Sequence, residues 1–70
     1  MTQNPWNLPP QQCATLTALA EVGSSKLAAR EMGISYKTVE QHIHEAKRNM
    51  GIEHRLTAVV AYDRWKRAQE

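Results

Sequence analysis

The run Ser24-Ser-Lys-Leu-Ala-Ala-Arg-Glu-Met-Gly-Ile-Ser-Tyr-Lys-Thr-Val-Glu-Gln-His-Ile-His44 spells a short helix, a tight turn and the start of a second helix. Ser24 or Ser25 can N-cap the first, because a serine hydroxyl accepts one of the backbone N–H groups left unpaired at a helix start. Gly33 supplies a left-handed C-cap at little steric cost. Ile34 then turns into the core, and Ser35 caps a helix predicted from Tyr36 to Met50. Two short helices joined by a glycine turn form a helix-turn-helix, a shape that can present one helix to the DNA major groove.

Outward from this run the pattern stays helical. Residues 1–7 read as a loose arm, and residues 8–70 as one domain. Leu8-Pro9-Pro10 opens a first helix, since proline is tolerated where the helix N–H has no partner. That helix is predicted from Pro10 to Glu21, with Cys13, Leu16, Leu19 and Ala20 inward and Gly23 at its end. The Ser-capped helix covers Lys26 to Met32. On the third helix Val39, Ile43, Ala46 and Met50 form an apolar stripe at i, i+4, i+7, i+11. Gly51 stops it, and Ile52 plugs the core again. A fourth helix is predicted from Leu56 to Ala68, with Ala58, Val59, Tyr62 and Trp65 inward. Short connections and no hairpin signal predict an all-α four-helix bundle.

Composition narrows the function classes. The 70 residues make one domain at most. A chain this short buries only about 60% of its unfolded surface, so it needs good packing, a staple or a partner. One cysteine excludes an intrachain disulfide, and the three histidines lack zinc-site spacing. No metal or other cofactor is expected. Cys13 reads as a small core residue and His42 as a packed, hydrogen-bonded one. The net charge of +2 and a pI of about 9.0 suit a polyanion without requiring one. No apolar run reaches the ~18 residues of a membrane span, and the N-terminus does not read as a secretory signal. A cytoplasmic protein with no membrane partner is expected. No paired carboxylates, triad or phosphate loop support an enzyme.

Residue identities then add a family. Leu8-Pro-Pro-Gln-Gln, Leu16, Ser24-Ser-Lys26, Gly33-Ile-Ser35, Lys37-Thr-Val39, His42-Ile43, Met50-Gly-Ile52, Arg55 and Ala58-Val59 resemble the LuxR/GerE (FixJ) DNA-binding domains. The string Gly-Ile-Ser-x-Lys-Thr-Val-x-x-His-Ile is the specific part. The resemblance spans about Leu8 to Tyr62. It implies a four-helix fold whose third helix enters the major groove and whose fourth often pairs in a dimer. The chain is similar to the standalone members, which lack a sensing domain. It departs from the pattern at Gln11-Gln12, where the family has Arg-Glu, and at Thr15, where a larger apolar residue is usual. Leu27-Ala28 and Ala46-Lys47 also differ. These changes reduce the core rather than the DNA-facing surface.

Glu40, Gln41 and His44 match the family's base-reading positions. Gln can pair with adenine, Glu can accept from cytosine N4, and His can donate to guanine or a phosphate. Two readings of Glu40 stand side by side: a discriminating base contact, or a charge paired nearby or solvated. Lys26, Tyr36, Lys37, Thr38, Lys47 and Arg48 suit phosphates. Arg55 is either structural or phosphate-directed, whereas Arg64, Lys66 and Arg67 read as a solvated face. Val60, Ala61 and Arg64 are the expected homodimer surface. Trp6 has no assigned role beyond folding back on the domain or meeting a partner. The expected function is a dimeric, sequence-specific regulator of transcription bound to double-stranded DNA, with repression or autoregulation at a palindromic operator favoured. The competing reading is a helix-turn-helix interaction module that binds a transcription or DNA-packaging protein.

Overall fold

The computed structural model describes residues 4–70. Helices α1 (Pro10–Val22), α2 (Ser25–Met32), α3 (Tyr36–Met50) and α4 (Arg55–Ala68) follow one another, with no strand among the described residues. The architecture is the all-α helix-turn-helix bundle that the sequence predicts.

Local chemistry sets the helix ends. Pro9 holds an extended backbone, and its carbonyl accepts from the N–H groups of Gln12 and Cys13 at 3.0 and 3.1 Å. Ser24, not Ser25, caps α2, accepting from the Leu27 N–H at 3.3 Å. Ser35 caps α3, accepting from the Thr38 N–H at 3.1 Å. The ends of α2 and α3 use the same device twice. Gly33 and Gly51 stand at φ 69° and 66°, in the left-handed region that glycine enters without a Cβ penalty. The next residue's N–H then bonds back to the helix: Ile34 to the Ala29 carbonyl at 3.1 Å, and Ile52 to the Lys47 carbonyl at 3.0 Å. Both isoleucines dip into the core, one into each of its two halves.

Those halves meet along α3. Val39 and Ile43 pack with Leu19, Ala28 and Ala29. Ala46 and Met50 pack with Leu8, Leu16, Ala58 and Tyr62. All four members of the predicted α3 stripe are buried. Alanines at closed positions, Ala28, Ala46 and Ala58, let the helices approach closely.

Helix α1 differs from the prediction. Ala20 is exposed and Cys13 half-buried, while Gln12 and Thr15 are buried. The reason is that α1 packs against all three other helices, so its buried band is broad rather than a single stripe. Both buried polar side chains have partners, as burial requires. The Thr15 hydroxyl donates to the Gln11 carbonyl at 2.8 Å. Gln12 Oε1 accepts from Asn49 Nδ2 at 2.9 Å, tying α1 to α3. Gln12 thus makes a neutral bridge at one of the two positions, Gln11-Gln12, where the sequence departs from a charged Arg-Glu pair.

The lead-in is also more ordered than a loose arm. Residues 1–3 lie outside the described residues. From Asn4 onward the chain folds around one side chain: Asn4 Oδ1 accepts from the N–H groups of Leu8 at 2.7 Å and Trp6 at 3.2 Å. Trp6 is laid against Tyr62 and Trp65 of α4, with ring centroids 6.5 and 6.3 Å away. Aromatic pairs at such distances add about 0.5–1.5 kcal/mol beyond their buried area. Trp6→Ala should therefore lower unfolding stability by roughly 1–3 kcal/mol, measured by urea denaturation. An unchanged midpoint would show that Trp6 adds nothing to the fold.

Candidate nucleic-acid interface

The core dictates the exposed face of α3. Lys37, Gln41, His44 and Arg48 repeat the spacing of Val39, Ile43, Ala46 and Met50, displaced by two residues. On a helix of about 3.6 residues per turn, that displacement is roughly 200°. The second set therefore lies opposite the first, and all four of its members are exposed. Cations near the two ends of this stripe flank an amide and an imidazole in its middle. Such an arrangement can hold phosphates at the edges and meet base edges between them.

The other predicted contacts lie around this stripe. Lys26 is exposed near the start of α2, and Tyr36 is exposed at the first position of α3. Lys47 is half-buried on the α3 flank, where it borders a shallow depression with His44, Arg48 and Ile52. Thr38 is half-buried, and its hydroxyl lies 2.7 Å from the Ser35 hydroxyl. It belongs to the α3 cap, so any phosphate contact it makes shares that oxygen with the capping network.

Glu40 is placed differently from Gln41 and His44. Its carboxylate faces the start of α4 and accepts two bonds from one guanidinium. Arg55 Nη1 donates to Oε2 at 2.8 Å and Nη2 to Oε1 at 2.7 Å. The same Nη1 donates to Ser25 Oγ at 3.0 Å. One side chain from α4 thus ties α3 to α2, although the backbones of α2 and α4 do not pack directly. The Arg55 bonds, then the Ser25 hydroxyl, lower the Glu40 pKa from 4.5 to about 2. The same pairing raises that of Arg55. Glu40 is therefore ionised at any working pH. The sequence left Arg55 open between two roles, and its bond to Glu40 lies fifteen residues away with no periodic signal to announce it.

The expected dimer residues sit on the outer side of α4. Val60 is 40% exposed, Arg64 is exposed and Ala61 is half-buried. Leu56, one turn before Val60, is 72% exposed and was not among the expected residues. Its i−4 spacing from Val60 was the available signal. Among the described residues no cluster of His, Cys, Asp or Glu could hold a metal ion. No described helix is long and apolar enough to cross a membrane.

A family model for bacterial regulatory proteins of the LuxR family matches residues 7–62. The match covers most of the chain, which belongs to that family and is a DNA-binding helix-turn-helix regulator. No curated protein and no solved structure matches it.

The depressed Glu40 pKa has a direct consequence for stability. Folding favours the carboxylate, so the Arg55 pair contributes fully above pH 4.5 and is lost as the pH falls toward 2. Both side chains remain partly exposed, at 46% and 28% for Arg55 and Glu40, so the contribution should be at most about 1 kcal/mol. The stability gap between the wild type and Glu40→Gln should be present at neutral pH and close as the pH is lowered through that window. A gap independent of pH would show that the ion pair does not stabilise the fold.

Proposed function

We propose that this LuxR-family domain is a sequence-specific regulator that binds a two-fold operator as a homodimer and represses by occupying a promoter. The observation that carries the reading is the α3 stripe of Lys37, Gln41, His44 and Arg48, exposed along its length and opposite the core. In this reading Gln41 and His44 meet base edges, with Glu40 beside them. Lys26, Tyr36, Lys37, Thr38, Lys47 and Arg48 engage phosphates. The positive end of α3 adds to the phosphate contacts, because the first N–H groups of a helix have no partner within it.

A single helix-turn-helix reads a short half-site, and a dimer doubles it with matching symmetry. Leu56, Val60 and Arg64 recur at i, i+4, i+8 and so form one outward line on α4, with Ala61 beside it. Such a line suits pairing with its own copy about a two-fold axis. The cytoplasm, where bacterial DNA lies, is the place of action. The exposed leucines Leu27 and Leu56 favour a second reading, a module that binds another protein of the transcription or packaging machinery.

Selection from random duplexes at two salt concentrations tests the first reading. The wild type should enrich a palindrome. Lys37→Ala should weaken binding evenly across sequences and reduce the salt slope by about 1. Gln41→Ala should relax preference at one position of each half-site, by about 1–3 kcal/mol. Binding without enrichment would overturn sequence-specific regulation. Sedimentation showing a strict monomer, both free and on the enriched duplex, would remove the dimer.

A further inference from the structure

We propose that Arg55 and Ser25, which lie outside the recognition helix, are specificity-positioning residues that hold the Glu40 carboxylate as a fixed acceptor toward one base of the operator. The inference rests on the proposed DNA-reading role of α3. A carboxylate on a DNA-facing helix repels phosphate, and a freely rotating one has no defined direction. Here both Glu40 oxygens are gripped by the Arg55 fork at 2.7 and 2.8 Å. A planar, bidentate grip of this kind sets the plane of the carboxylate as well as its position. Arg55 is in turn anchored by Ser25 Oγ at 3.0 Å, so the grip has a third point on α2.

The consequences for recognition follow from lone-pair arithmetic. A carboxylate has about four acceptor sites and offers no donor when ionised. The fork takes two of these, one on each oxygen, which leaves acceptor capacity for a further donor. The Glu40 side chain is 28% exposed, adjacent in sequence to the fully outward Gln41. An acceptor-only group there rewards a base edge carrying an amino group, cytosine N4 or adenine N6. It penalises guanine, which offers only acceptors in the major groove, and thymine, which offers an acceptor and a methyl. The Arg55 charge also offsets the local repulsion of phosphate, so Glu40 adds selectivity with little loss of affinity. The competing role for Arg55, release from Glu40 to bind a phosphate, predicts a different outcome.

The test is duplex selection with wild type, Glu40→Gln, Arg55→Gln, Arg55→Lys and Ser25→Ala, each checked by circular dichroism and thermal melting. Glu40→Gln and Arg55→Gln should relax preference at the same operator position, by roughly tenfold, the size of one base contact. The double variant should be no more relaxed than either single one. Arg55→Lys keeps the charge but loses the fork, so it should relax that position too. Ser25→Ala should do so to a smaller extent, which keeps the test informative if Arg55→Gln does not fold. Uniform loss of affinity with a salt slope reduced by about 1 and unaltered base preference would assign Arg55 to phosphate and overturn the proposal. Relaxation at different positions for Glu40→Gln and Arg55→Gln would overturn it as well. If the wild type itself enriches no sequence, the DNA-reading role of α3 fails first, and the proposal falls with it.

Discussion

Burial of one side of α3 is the constraint from which the rest of the molecule follows. Val39, Ile43, Ala46 and Met50 run through both halves of the core, so α3 cannot rotate about its axis without exposing apolar surface in two places. A rotation would also part Gln12 from Asn49, whose 2.9 Å bond reaches from α1 to the last turn of α3. The outward direction of Gln41 and His44 is thus not an independent feature of the surface. It is the complement of the packing, and substitutions that loosen the core would blur the interface without touching it.

The core that enforces this is small. Its largest fully closed side chains are Leu16, Ile43, Val39 and Thr15, and one of these is polar. Small domains gain only a narrow margin from apolar burial. Directional contacts therefore carry a larger share than they would in a bigger protein. The serine caps fix the starts of α2 and α3, while the Gln12–Asn49 amide bridge, the Arg55 clasp and the Trp6–Tyr62–Trp65 cluster join segments distant in sequence. Two of these joints reach α3, so stability and the placement of its exposed face draw on the same interactions.

This division explains what the sequence made legible. Caps and stripes are local: Ser35 lies three residues from the N–H it caps, and the α3 stripe repeats within a single helix. Their periods survive in one dimension, so the helix bounds and the exposed α3 face could be read directly. The joints are not local. Gln12 meets Asn49 across 37 residues and Arg55 meets Ser25 across 30, and neither pair belongs to a repeating pattern. Helix α1 misled for a related reason. Periodicity identifies a helix with one buried side, whereas α1 is enclosed by three neighbours, so polar Thr15 is closed off and apolar Ala20 is not. Trp6 could not be placed because its partners, Tyr62 and Trp65, lie at the other end of the chain.

Helix α4 takes part in both the core and the joints to α2 and α3. Its inner side is fully committed: Ala58 and Tyr62 are buried, and Trp65 closes the aromatic cluster with Trp6. Its outward side carries the line of Leu56, Val60 and Arg64. Leu56 directly follows Arg55, the residue that grips Glu40 on α3 and Ser25 on α2. Any partner pressed against Leu56 would bear on the backbone that sets the position of the Arg55 fork, one residue away. The first turn of α4 therefore links an outer surface to α3 through a single side chain, with no need for a path through the core. In a chain of this size the first turn of α4 and the Glu40 carboxylate are mechanical neighbours, so a load on Leu56 and a load on Glu40 act on the same side chain, Arg55.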